Sequence, residues 1–267
     1  HKQIESRVTQ TEFRAQNIGF MPPKNQHYIS SRSAVIDQKS AVTTLSDLFN
    51  QKQGTIMATI LFTSLKGGVG KTSLAQCLSL YTGVPIVTND IATVDESENT
   101  IQIESNLKRI PPDILEMEDL IFDFGAMSTA IDPKIAQAAE MADVIVIPTL
   151  LDMRSIEATT MTYNFVKDAC KPVVIIANNF TGTEEKNIYA DRFEMLESIK
   201  SDRNSPITIL RVRKSTLIDR ITRDGPQWYE SVFHKKGLHM LKKFILRLEE
   251  NIFEEIFRIG GIEILDD

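Results

Sequence analysis

Apolar residues along this chain fall into short, nearly continuous blocks separated by stretches of helical periodicity. The blocks are Thr59–Thr63, Pro85–Thr88, Leu120–Asp123, Val144–Pro148, Val173–Asn178 and Ile207–Val212. Each is rich in β-branched residues and lacks strict apolar–polar alternation, so each predicts a strand covered on both faces. Between them, Thr72–Tyr81, Pro133–Met141, Ser155–Ala169, Glu184–Ser201 and Ser215–Thr222 predict helices. This order implies an α/β fold, a doubly wound and mostly parallel sheet flanked by helices. In such sheets ligands bind at the carboxyl ends of the strands.

A last amphipathic segment runs from Lys235 to Ile259. Leu238, Leu241, Ile245, Leu248 and Ile252 alternate at helical spacing, with Phe244, Phe253, Ile256 and Phe257 beside them. It predicts a long C-terminal helix packed across the sheet. Its first half is basic (Lys235, Lys236, Lys242, Lys243, Arg247) and its second acidic (Glu249, Glu250, Glu254, Glu255). That charge order fits poorly with docking to an anionic membrane. No apolar run reaches the ~18 residues of a spanning helix.

The 267 residues, 42% of them hydrophobic, are enough for one large α/β domain and an appendage. Residues 1–56 hold seven Lys/Arg against four Asp/Glu, leaving 23 and 32 for 57–267, so the net charge of −6 arises in the body. The first segment is rich in Gln, Ser and Asn, contains Pro22-Pro23, and has one short helical candidate at Ala41 to Phe49. It reads as an N-terminal extension, partly disordered or docking on a partner, ahead of a compact domain at 57–267. His1 to Arg14 is polar and mixed in charge, unlike a secretory leader. Cys77, on a predicted helix, and Cys170, before an apolar run, read as buried reduced thiols, which points to a cytoplasmic protein. Net acidity confines any DNA-binding surface to a local patch.

The densest chemistry is Lys66-Gly67-Gly68-Val69-Gly70-Lys71-Thr72, set between the first strand block and the first helix. Strand, glycine-rich loop and helix start make a phosphate-binding loop. The glycines let the backbone approach a polyphosphate, and the loop N–H groups with the helix N-terminus form an anion cradle. Lys71 is placed for the β- and γ-phosphates, and Thr72 for a magnesium ion. The usual template has glycine where this chain has Leu65, and a second lysine, Lys66, opens the loop instead.

The stretch Thr63-Ser64-Leu65-Lys66-Gly67-Gly68-Val69-Gly70-Lys71-Thr72-Ser73-Leu74-Ala75 resembles the deviant Walker A motif of the ParA/MinD ATPases. The resemblance spans residues 57 to about 230 and implies a P-loop ATPase that dimerises around two ATP molecules. Lys66 would reach the nucleotide of the partner subunit, since facing triphosphates need cations between them. It implies ATP and Mg²⁺ as cofactors, with Gly67, Gly68, Val69, Gly70, Lys71, Thr72 and Ser73 at the phosphates. Two cysteines in these positions argue against the iron–sulfur branch, which needs additional clustered ligands. No helix-turn-helix, which the longest members carry at their N-terminus, is visible in 1–56.

Further motifs fit the same family. Leu120-Ile121-Phe122-Asp123 reads as a Walker B strand, with Asp123 on the magnesium-bound water and Gly125 opening a switch loop. Asp-Phe-Gly also occurs in protein kinases, but the His-Arg-Asp of their catalytic loop is absent. Val87-Thr88-Asn89-Asp90 matches the end of the family's second strand, where Asp90 would position the attacking water. Thr88 replaces the family's first aspartate, which leaves the hydrolysis rate open, and Asp95 is a rival for the role of Asp90. Asn178 matches an asparagine that reads the adenine edge, with a turn-forming role as the alternative. The absence of Asn-Lys-x-Asp favours ATP over GTP. Arg213 falls in the late adenine-contacting loop. Arg211, Arg213, Lys214, Arg220 and Arg223, with Lys242 and Lys243, could form a DNA-binding patch or an ordinary solvated face.

The family likeness implies a bacterial partition ATPase, nucleoid-associated, binding DNA non-specifically and hydrolysing ATP to ADP and phosphate slowly until a ParB-like partner stimulates it. A MinD-like or plasmid-transfer accessory ATPase is the alternative. A ligase of the dethiobiotin-synthetase type is disfavoured by Lys66, because a single-site enzyme needs no lysine for a neighbour's nucleotide.

Overall fold

The computed structural model describes residues 55–56, 58–89, 99–104, 106–125, 132–180, 190–199, 206–216, 218, 220, 232 and 239–265. All of them belong to one unit, Thr43–Asp267. The predicted extension at 1–56 lies outside the described residues except for β1 (Thr55–Ile56). This short strand pairs antiparallel with β9 (Ile264–Leu265), tying the entry of the domain to its C-terminal end.

Seven parallel strands form the central sheet: β2 (Thr59–Ser64), β3 (Ile86–Thr88), β4 (Thr100–Gln102), β5 (Leu120–Gly125), β6 (Val144–Thr149), β7 (Val173–Phe180) and β8 (Ile207–Arg213). Their order is β4-β3-β5-β2-β6-β7-β8. The chain lays β3 to β5 on one side of β2 and β6 to β8 on the other. The carboxyl end of β2 is therefore the topological switch point. The six apolar blocks all become strands, each extending one or two residues past its predicted end except at β3. Edge strand β4 escaped prediction because Thr100-Ile101-Gln102 is short and only partly covered.

Each buried strand splits its side chains between two cores, as the period of two demands. Ile60, Phe62, Ile121, Val146, Val174 and Ile176 face α1 (Lys71–Thr82) and the C-terminal helix. Leu61, Phe122, Phe124, Ile145, Ile147 and Ile175 face the opposite layer. That layer holds α2 (Pro112–Leu115), α3 (Pro133–Met141), α4 (Met153–Val166) and α5 (Ala190–Ile199). The doubly wound architecture follows. Thr216, Ile218 and Arg220 are helical within predicted Ser215–Thr222; Leu217, Asp219, 221–222, 184–189, 200–201 and 235–238 lie outside the described residues.

The C-terminal helix comprises α6 (His239–Leu248), a π-turn at Glu249–Phe253, and α7 (Glu254–Gly260). It packs on the sheet, burying Ile245, Leu248, Ile252, Phe253, Ile256 and Phe257. The wide turn rotates the register so that the neighbours Ile252 and Phe253, then Ile256 and Phe257, all point inward. Tyr81 of α1 stacks on Phe253 at 5.8 Å and on Phe257 at 6.3 Å. None of the described helices is long and apolar enough to cross a membrane.

The cysteines differ from expectation in one respect. Cys77 is buried, and burial, with Glu249 nearby, pushes its thiol up to about 12. Cys170 is exposed and ends the 3₁₀ turn after α4 with φ 55°.

Candidate nucleotide site

The glycine-rich loop leaves β2 at the switch point and enters α1 at Gly70. Gly68 and Gly70 have φ of 73° and 87°, backbone that L side chains rarely adopt. At Gly70 a Cβ would also lie 2.2 Å from Asn178 Nδ2. Helix α1 starts without a side-chain cap and without an acid in its first turn. By contrast α3 and α4 are capped by Asp132 and Asp152. The N-terminal N–H groups and dipole of α1 are therefore left for an anion. Gly67 and Gly68 are exposed, while Val69 is buried and anchors the loop.

Parallel pairing of β2 with β5 brings the predicted Walker B residues beside this loop, with Phe62 opposite Asp123 and Ser64 opposite Gly125. Asp123 is 0% exposed. One carboxylate oxygen takes Lys71 Nζ at 2.5 Å and the other takes the Thr72 hydroxyl at 2.8 Å. A buried carboxylate requires such compensation. Residues far apart in sequence thus converge on one spot. Thr88 is fully buried and donates its hydroxyl to the Asp123 carbonyl at 3.1 Å. It fixes the Asp123 backbone and brings no charge.

The opening of the loop is tied to α4. Leu65 N–H donates to Thr162 Oγ1 at 3.0 Å, and Lys66 N–H to Ser64 Oγ at 3.3 Å. The half-buried Lys66 lies within electrostatic reach of Asp152 at the start of α4. The Ser155 hydroxyl, first, and then its N–H and the Lys66 ammonium hold the Asp152 carboxyl below its ordinary value. Ser73 is half-buried in the first turn of α1.

The far side of the site is arranged differently. Asn178 is buried; its Nδ2 donates to the Val69 carbonyl at 2.9 Å, and its Oδ1 accepts the Asn179 N–H at 2.9 Å. In this structure the amide predicted to read a base bonds the loop at Val69. Arg211 lies over the Phe193 ring at 4.3 Å and the Phe180 ring at 5.8 Å. Arg213 and Lys214 are exposed at the end of β8, and Lys214 N–H donates to the Phe180 carbonyl at 2.9 Å. Arg211 and Arg213 alternate with Val212, which belongs to the core shared with the C-terminal helix. They therefore face the α5 layer, whereas exposed Lys242 and Lys243 ride on α6 across the sheet. Asp90, Asp95 and Arg223 lie outside the described residues.

Sequence reading passed over Asn89, Asp132 and Lys134, which join the end of β3 to Gly125 and the start of α3. The signal for the last two was Asp132-Pro133, an N-cap followed by proline at the first helical position.

No protein-family model matches the chain. No curated protein matches it in sequence. Among solved structures it is similar to the cell division ATPase MinD of Pyrococcus furiosus, at TM-score 0.51 and 16% identity over 74% of this chain and 99% of that one. The ATP complex of a McdA variant from Cyanothece gives 0.49 and 16%, covering 75% and 98%. The septum site-determining protein MinD of Pyrococcus horikoshii OT3, complexed with Mg-ADP, gives 0.48 and 16%, covering 74% and 97%. The chain has the P-loop fold of that furiosus MinD ATPase, in agreement with the resemblance carried by residues 63–75.

Proposed function

We propose that the chain is an ATP-dependent dimerising ATPase of the ParA type, acting in plasmid or chromosome partition in the bacterial cytoplasm. One observation carries the reading: Lys71 and Thr72, at the start of an uncapped helix, meet the two oxygens of buried Asp123. The glycine cradle suits a triphosphate, and Gly67, Gly68, Val69, Gly70 and Ser73 would line it beside Lys71. The Thr72 hydroxyl and Asp123 carboxylate are hard oxygen donors side by side, which suits Mg²⁺. Magnesium, when bound, neutralises phosphate charge.

Lys71 holds the β- and γ-phosphates, and Asp90 orients the water that yields ADP and phosphate. Lys66 serves the partner subunit's nucleotide in a homodimer. Turnover is slow alone, because Thr88 supplies no carboxylate, and a ParB-like partner would speed it. Residues 1–56 are an extension for partner docking ahead of the ATPase domain. Non-specific DNA would meet Arg211, Arg213, Lys214, Arg220, Arg223, Lys242 and Lys243.

The division of the described cations between opposite layers of the sheet, with Arg211 stacked on Phe193, favours a second reading. In it the same ATP-driven dimer positions a protein assembly, as a MinD-like or plasmid-transfer accessory ATPase.

Size-exclusion chromatography with Mg-ATP, with Mg-ADP, and with Mg-ATP plus non-specific DNA tests both. The expected result is an ATP-specific dimer that Lys66→Ala loses while still binding ATP. A wild-type protein that binds ATP yet stays monomeric would sink the dimer reading. A dimer that ignores DNA moves the assignment to the second reading.

A further inference from the structure

We propose that Asn89 is a positioning residue that couples the loop after β3 to the loop after β5. Resting on the ATPase reading, this makes both loops respond to the γ-phosphate as one unit. Strand β3 pairs with β5 only as far as Thr88 opposite Asp123. One residue on, the side chain of Asn89 takes over. Its Oδ1 accepts the Gly125 N–H at 3.4 Å, and its Nδ2 reaches the Gly125 carbonyl at 3.4 Å and Asp132 Oδ2 at 3.3 Å. Gly125 begins the connection from β5 to α3, and Asp132 ends it. A single buried amide therefore grips both ends of that connection.

The far end is a firm anchor. Asp132 Oδ1 accepts the Lys134 N–H at 2.9 Å, capping α3, and Oδ2 pairs with Lys134 Nζ at 2.9 Å. Lys134 is 0% exposed and also donates to the Leu107 carbonyl at 2.5 Å. Moving Asp132 would take a carboxylate away from a buried ammonium, so the anchor resists displacement.

The near end is at the phosphate site. A Cβ at Gly125 would sit 3.5 Å from Lys71 Cε, and Asp90 follows Asn89 directly. A shift of Gly125 is thus passed through Asn89 to the residue proposed to hold the attacking water. Substituting Asn89 lowers turnover without matching loss of nucleotide affinity, a split that a purely structural role would not produce.

Asn89→Ala tests this with two readouts. In the nucleotide-free protein, amide hydrogen exchange is expected to rise about ten-fold in peptides covering both Gly125 and Asp132. Faster exchange at one end only, or at neither, overturns the coupling. With Mg-ATP, kcat is expected to fall about ten-fold while ADP affinity stays within about two-fold. An unchanged kcat overturns the role in turnover, and so does an equal fall in affinity. If Asn89→Ala does not fold, Asn89→Asp keeps the size, removes both donated bonds, and carries the same readouts. Wild-type protein without any ATP turnover condemns the ATPase reading instead, and the exchange experiment still decides the coupling.

Discussion

The two sides of the candidate nucleotide site hold their side chains by different means. At the β2–β5 side, Lys71, Thr72 and Asp123 are placed by strand register and by the start of α1, so their meeting follows from the backbone. At the β7–β8 side, Asn178 and Arg211 reach partners that no local pattern specifies, the Val69 carbonyl and the Phe193 ring. The phosphate side is a motif in the backbone; the β7–β8 side is a set of side-chain choices. Substitutions on each side should therefore fail in different ways.

The largest effect belongs to Lys71→Ala. Loss of the ammonium should weaken Mg-ATP binding at least ~100-fold, about 2.7 kcal/mol. It should also destabilise the free protein by about 3 kcal/mol, because Asp123 stays buried without its cation. Calorimetric titration and urea unfolding read the two quantities. Native ATP affinity in this variant would break the phosphate side of the comparison.

Asn178→Ala should cost about 1–2 kcal/mol of stability, since the Val69 carbonyl loses its donor. As a brace of the loop, Asn178 should matter equally to ATP and GTP, so both bind more weakly by the same factor. Competition titrations that show a selective loss of ATP would return Asn178 to the base-reading role.

Arg211→Ala should cost about 1 kcal/mol through the lost contact with Phe193. On the second reading, in which the guanidinium is held by its ring contact, retention of non-specific DNA should match that of the unaltered protein. A clear drop in DNA retention, measured by co-sedimentation, would mean that the stacked guanidinium still serves a DNA surface.

The smallest effect is a titration at the start of α4. Asp152 is held below the ordinary 3.8 chiefly by the Ser155 hydroxyl, with Lys66 contributing less. A lowered folded value favours the ionised form. Its stabilisation is therefore full above the ordinary value and fades as pH falls through the lowered one. NMR titration of Asp152 should show an upward shift in Ser155→Ala and a lesser one in Lys66→Ala. No shift in Lys66→Ala would remove the lysine from this neighbourhood and sharpen its assignment to a partner.

Much of the fold was legible because fully covered parallel strands are written as uninterrupted apolar runs. β4 was not, since a partly covered edge strand of three residues needs no such run. The π-turn was hidden for another reason. Ile252, Phe253, Ile256 and Phe257 fit an ordinary amphipathic stripe in sequence, and only the fold packs Phe253 and Phe257 against Tyr81. Asn89 shows the same limit within the site. Between Thr88 and Asp90 it reads as a spacer, and only the neighbouring β5 reveals its partners.

From the chain alone came the order of strands and helices, the loop glycines, and the placement of Lys71 and Thr72 at a helix start and of Asp123 on a strand. These depend on local periodicity and on backbone angles closed to most side chains, both of which are properties of neighbours in sequence. Tertiary structure decided that Asn178 spends its amide on Val69, 109 positions away, that Arg211 stacks, and that the cations divide between two layers. A polar side chain takes whichever partner folding delivers to it, and that partner's distance along the chain leaves no mark on the residues beside it.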